Sequence, residues 1–145
     1  LLEQASVYVV MQPNFNRNWG TPGGLYETKL GKERLKLCNR FRTLRESHIG
    51  YCFSSDGMPP GPLYGLTGAT QHPIKDERLT RGEALLRYTM WAHQLSGSPA
   101  GYGCLQEGSP ADLIILSGNP LEEDPDGLNV LQTIIDGHCV YKANS

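Results

Sequence analysis

The stretch His48-Ile49-Gly50-Tyr51-Cys52-Phe53-Ser54-Ser55-Asp56-Gly57-Met58-Pro59-Pro60 decides the fold. It begins as a strand and stops at an acidic residue followed by turn formers. Side chains alternate across a strand, so Ile49, Tyr51 and Phe53 share one face, and His48, Gly50, Cys52, Ser54 and Asp56 share the other. Bulky groups on one side and small or polar ones on the other suit a parallel strand of a barrel, its large face under helices and its small face inward. An Asp closing such a strand sits where barrel enzymes place their chemistry. Asp-Gly before Pro-Pro is also an ordinary turn signal, and an Asp there can simply cap a loop.

Working outward, Ala5 to Gln12 is short, β-branched and apolar on both faces, which predicts a buried strand stopped by Pro13. Asn14 to Gly24, rich in Asn and Gly, reads as a loop. Lys32 to Glu46 carries Leu35, Cys38, Phe41 (or Arg42) and Leu44 at helical intervals and predicts one helix or two short ones with a wet face. Strand, helical crossover and the strand at Ile49–Ser55 then make a parallel βαβ unit.

Beyond Asp56, Leu63 to Gln71 predicts a short helix. Thr80-Arg81-Gly82-Glu83 is a capping box that opens a helix ending at Ser96-Gly97. Near residue 103 the pattern turns to β: Ala111–Leu116, Leu128–Ile135 and His138–Tyr141 are expected strands. Asp136-Gly137 predicts a hairpin pairing Thr133–Ile135 with Cys139–Tyr141. The expected core is Tyr51, Phe53, Leu85, Tyr88 and Trp91, joined by Leu113 and Ile115.

The 145 residues suffice for a domain with a real core, and 39% apolar with 19% charged residues describes a soluble globular chain. A net charge of −2 with both signs interspersed recommends neither nucleic acid nor an anionic membrane as partner, and no apolar run approaches a membrane span. Cys38, Cys52, Cys104 and Cys139 form no CxxC pair, so reduced, buried thiols in a cytoplasmic protein are expected rather than a zinc ribbon. The chain opens on Leu1 just ahead of a strand, which reads as a portion of something longer or as a trimmed terminus.

Several pieces, in order, resemble the C-terminal part of metal-dependent amidohydrolases of family 3, with D-aminoacylase-like and imidazolonepropionase-like relatives. They are Met11-Gln12-Pro13, Arg42-Thr43-Leu44, Ser54-Ser55-Asp56, Glu83-Ala84-Leu85 with Tyr88-Thr89, Ala111–Leu116, Asn119-Pro120-Leu121 and the Gly137 hairpin. The resemblance implies an α/β fold: the last strands and helices of a (β/α)8 TIM barrel over 1–102, followed over 103–145 by part of a small β-sandwich. It implies hydrolysis of carbon–nitrogen bonds other than peptide bonds, on a small-molecule substrate, with a divalent metal, commonly zinc. Asp56 matches the family's metal-binding carboxylate, which also takes a proton from the attacking water.

The family's His-x-His pair has no counterpart in this chain, and Asn14 and Phe15 follow Gln12-Pro13 where relatives often carry a histidine or another polar group. One carboxylate falls short of the three protein ligands usual for catalytic zinc, so the chain alone is expected to be incomplete as a catalyst and to hold no metal tightly. Asn14, Met58 and Tyr64 are the candidate substrate-binding residues, with Trp19 and Asn14 to Asn18 in a loop at the same end. His48 is expected to be structural or exposed, His72 to be a solvated loop residue although its loop could reach the barrel mouth, and His93 to be exposed; His138 is given no role. The other reading is a non-catalytic module that pairs with another chain. The open strand edge at Ala5–Gln12 would invite self-association or a missing N-terminal segment.

Overall fold

The computed structural model describes residues 7–58 and 60–144 and is a mixed α/β chain. The Ala5 end of the expected first strand lies outside the described residues. Strand β1 (Val9–Met11) leads into helix α1 (Pro13–Trp19), then α2 (Leu25–Leu35) and α3 (Phe41–Glu46). Strand β2 (Tyr51–Phe53) follows, then α4 (Pro62–Thr70), α5 (Arg81–Tyr88) and α6 (Met90–Leu95). The remainder is β3 (Leu113–Leu116), β4 (Val130–Ile135) and β5 (His138–Lys142).

β1 and β2 pair in parallel with Val9 opposite Tyr51 and Met11 opposite Phe53, as the βαβ reading requires. The core lies on the Tyr51–Phe53 face. Tyr51 is 0% and Phe53 4% exposed, packed with Phe41, Leu66, Ala69, Leu79 and Ala84. Phe53 meets Phe41 nearly edge-on at 5.0 Å between centroids and Tyr88 at 5.3 Å. Cys52, on the opposite face, is buried too, whereas Cys38 and Cys104 are half-buried and Cys139 is exposed, so the expectation of buried thiols holds for one of the four.

Residues 13–19 form a helix where the sequence reads as a loop. Proline suits the first helical position, since its fixed φ is helical and the missing N–H would be unpaired anyway. Phe15 and Trp19, one turn apart, stack at 4.9 Å. On the inner side Asn16 donates through Nδ2 to the Gly68 carbonyl at 3.2 Å. The helix seats against α4 because α4 presents glycines: a Cβ at Gly68 would collide with the Pro13 carbonyl, and one at Gly65 with the Tyr88 hydroxyl.

The capping box forms as expected, Thr80 Oγ1 accepting from the Glu83 amide at 3.2 Å and Glu83 returning to the Thr80 amide at 2.8 Å. The helix behind it breaks at Thr89, however, and resumes as α6. Gly103 approaches so closely there that a Cβ would meet the Thr89 backbone at 2.8 Å. Leu85, Tyr88 and Trp91 are half-buried, and Leu85 and Tyr88 pack against the core as expected.

β3, β4 and β5 form an antiparallel sheet in that order. Thr133 pairs with Tyr141 and Ile135 with His138 around Asp136-Gly137, both in left-handed backbone (φ 49 and 75) as a tight two-residue hairpin needs. Leu113 is half-buried and Ile115 is 41% exposed, so neither joins the core as expected.

His72 departs most from its sequence reading: it is 1% exposed, not solvated. Its Nδ1 accepts the Ile74 N–H at 2.9 Å and the ring stands edge-on to Phe41 at 5.4 Å. Burial pushes its pKa below the ordinary 6.5, against the pull of the Ile74 backbone and the Glu77 carboxylate.

Two outcomes follow from this packing. Phe53→Ala should cost about 3–5 kcal/mol in urea unfolding, the usual range for emptying a buried phenylalanine site. Because folding favours neutral His72, its contribution is complete above the unfolded pKa and is lost as pH falls through it. Unfolding free energy should therefore decline as pH falls below about 6.5, and His72→Asn, which keeps an acceptor for the Ile74 amide, should flatten that slope.

Candidate functional site

Parallel pairing brings the ends of β1 and β2 to the same side, where the residues just beyond them meet. Gln12 donates through Nε2 to the Ser54 hydroxyl at 3.2 Å, and the Ser54 amide continues the ladder to the Met11 carbonyl at 2.9 Å. The chain then turns at once: the Met58 amide bonds the Ser55 carbonyl at 3.2 Å. Asp56, inside that turn, has φ 48 and is exposed. Asp and Asn are the non-glycine residues that enter left-handed backbone most readily, so residue type and turn geometry agree.

Helix α1 starts one residue after Gln12 and carries Asn18 toward this turn. Asn18 Nδ2 lies 3.8 Å from the Met58 sulfur, and its Oδ1 accepts the Tyr64 hydroxyl. The Arg17 guanidinium lies over the Tyr64 ring, 3.8 Å from its centroid. Asn18, Met58 and Tyr64 thus form one half-buried cluster, with Asp56 two residues before Met58.

Asn14 is placed differently. It has no accessible surface, and its Oδ1 accepts the Tyr88 hydroxyl at 3.2 Å. Burial raises the Tyr88 pKa, so the hydroxyl stays a neutral donor. Asn14 helps to seat the helix that carries Asn18. Sequence reading gave no site role to Gln12, Ser54 or Asp126, and met Arg17 only within the loop from Asn14 to Asn18. Arg17 and Asp126 lie 109 residues apart, a separation that leaves no local signal.

Among the described residues, no three His, Cys, Asp or Glu side chains gather as a metal site. His72 is enclosed by Phe41, while His48, whose φ is 55, and His138 are exposed. His93 is half-buried against Tyr102. Among the described residues Asp56 belongs to no such group. A cleft of about 360 Å³ lies elsewhere, lined by residues including Asn16, Arg17, Thr21, Gln71 and Arg78. It abuts the last turns of α1 and α4, and its arginines already serve carbonyls: Arg78 Nε donates to His72 at 2.7 Å and Arg17 to Tyr64 at 3.2 Å.

A family model described as "Amidohydrolase family" matches residues 2–141. YtcJ of Bacillus subtilis (strain 168), which carries the name of an amidohydrolase, is 30% identical over 129 residues, covering 79% of this chain and 24% of its own. An uncharacterized metal-dependent hydrolase from Pyrococcus furiosus superposes with a TM-score of 0.71 at 28% identity, covering 83% of this chain and 25% of its own. The 5-methylcytosine deaminase of Klebsiella pneumoniae superposes with a TM-score of 0.57 at 26% identity, over 73% of this chain and 28% of its own. The chain spans about a quarter of the length of these relatives.

The position of Asn14 generates its own test. Asn14→Leu keeps the branched shape but removes the acceptor and strands the buried Tyr88 hydroxyl, and should cost at least about 1–3 kcal/mol in denaturant unfolding. Adding Tyr88→Phe should recover part of that loss, so a double-mutant cycle reads the pair directly.

Proposed function

The chain belongs to the amidohydrolase family, and on that premise we propose that it is the C-terminal portion of a metal-dependent hydrolase acting on carbon–nitrogen bonds other than peptide bonds. Residues 1–102 contribute the last strands and helices of a (β/α)8 TIM barrel, and 103–145 strands of a small β-sandwich. The substrate is a small molecule, and the protein is cytoplasmic. The observation that carries the reading is Asp56: within the family match, a carboxylate follows directly on a parallel strand, exposed in a left-handed turn. The likeness to a cytosine deaminase, an enzyme of carbon–nitrogen bonds, agrees with it.

In this reading Asp56 is one ligand of a divalent metal, zinc by family resemblance, and the other ligands lie outside the described residues. A bound divalent cation supplies Lewis acidity that brings the pKa of water toward about 7. The part of this chain is to present an ionised carboxylate that accepts the proton, with Met58 and Tyr64 lining the substrate side. Asn18 orients both, its amide directed at the Met58 sulfur and its oxygen accepting the Tyr64 hydroxyl. The described donors do not make a metal centre by themselves.

A second reading, a module that completes itself by pairing with another chain, is favoured by β1. Tyr8 is 67% and Val10 56% exposed beside a strand paired on one side among the described residues. Unpaired strand edges recruit further strands.

The 145-residue chain should retain far less than stoichiometric zinc after dialysis and show no amidase, deaminase or carbamoylase turnover. Stoichiometric metal or turnover in the lone chain would show that the site is misplaced. In the longer protein, Asp56→Asn should remove most hydrolysis while leaving the thermal midpoint in place, because Asn adopts the same left-handed backbone. Full activity in that variant would end the assignment of Asp56.

A further inference from the structure

Asp126 lies in the 3-10 turn Pro125–Gly127, between β3 and β4, far along the chain from the candidate site. Its carboxylate nevertheless reaches the helices beside that site. Oδ1 accepts from Arg17 Nη1 at 2.7 Å and Oδ2 from Nη2 at 2.6 Å. The Thr67 hydroxyl adds a third bond to Oδ1 at 3.0 Å. Hydrogen bonds from Arg17 hold the Asp126 carboxyl below the usual range.

The two-pronged pairing fixes the plane of the guanidinium as well as its position, which a lysine ammonium could not do. The same guanidinium covers the Tyr64 ring at 3.8 Å, and Nη1 also donates to the Tyr64 carbonyl at 3.2 Å. The Tyr64 hydroxyl is thereby aimed at Asn18, whose amide faces the Met58 sulfur. Each link is a geometric restraint on the next.

We propose that Asp126 is a positioning residue for the candidate site, acting through Arg17 and Tyr64 to fix the turn that carries Met58 and Asp56. The proposal rests on reading Asp56, Met58 and Tyr64 as site residues. It gives the β tail a task beyond its own sheet, since one of its turns sets the shape of the strand-end turn more than sixty residues earlier in sequence. The pair is partly exposed, with 26% and 40% of the two side chains accessible, so it contributes little to global stability. Its effect belongs in local order instead.

The test uses the 145-residue chain carrying 13C-methyl methionine, which has three such residues: Met11, Met58 and Met90. Met58→Leu assigns the Met58 signal. Asp126→Asn and Tyr64→Phe should each move that signal by more than its linewidth and broaden it, leaving Met90 and the urea midpoint in place. Asp126→Glu, which keeps the charge, should restore most of the original signal. A Met58 signal unmoved by Asp126→Asn would make the pair a tail anchor only and overturn the proposal. A signal moved by Asp126→Asn but not by Tyr64→Phe would overturn the route through Tyr64. Should Asp126→Asn fail to fold, Thr67→Val, which removes one bond to the same carboxylate, is read by the same criteria. The readout requires neither metal nor substrate, so its outcome is independent of the assays of Asp56.

Discussion

Phe53 holds the helical part of this molecule together. Its ring touches Phe41 from α3 and Tyr88 from α5, and lies 5.7 Å from Tyr51 on its own strand. A two-stranded parallel ladder of three residues a side is too small to persist by its hydrogen bonds alone. The aromatic cluster supplies what the ladder lacks, fixing β2 between helices before and after it in sequence. Buried aromatic pairs add to simple area burial, because offset and edge-to-face rings also interact electrostatically. Once Phe53 is fixed, so is the point at which β2 ends, and the turn holding Asp56 starts two residues later. The location of the candidate site is thus a consequence of packing on the other side of the strand.

What the sequence made legible were features written in neighbouring residues. The Thr80–Glu83 capping box and the Asp136-Gly137 hairpin are local chemistry, and both formed as read. Helix α1 was hidden because Asn, Phe and Trp carry little helical preference, while the groups that stabilise it come from elsewhere: the Gly68 carbonyl and the glycine-lined face of α4. The break at Thr89 has no Gly or Pro to announce it; it coincides with the close approach of Gly103. His72 looked like a loop histidine because its companions, Phe41 and the Ile74 amide, become neighbours only in the fold.

The same division runs through the site. Asp56, Met58 and Tyr64 could be singled out because family resemblance and the strand-end position pointed at one segment. Asn18 could be placed at that end only as part of a loop, without its partners. The Arg17–Asp126 pair has no local signal: Asp126 stands just beyond Pro125, after the acidic residues Glu122, Glu123 and Asp124, which are exposed here. What separates Asp126 from them is Thr67 and Arg17 waiting on α4 and α1.

These placements divide the labour of the proposed site in a physically sensible way. An exposed carboxylate gains little by itself from a divalent cation, because water screens the attraction and competes for the ligand positions. Affinity must come from the number of ligands, and none of the described histidines joins Asp56 in a three-ligand group. What this chain can contribute is orientation. Asp56 is held in a left-handed turn, the turn leans on Asn18 through Met58, Asn18 is held by Tyr64, and Tyr64 by a guanidinium whose plane Asp126 fixes. Orientation of this kind costs little global stability to lose and much precision, since a small rotation of the turn displaces the carboxylate from whatever it is meant to reach. The residues that matter most for such a site are then not the most buried ones, and they are the ones a reading of buried apolar pattern passes over.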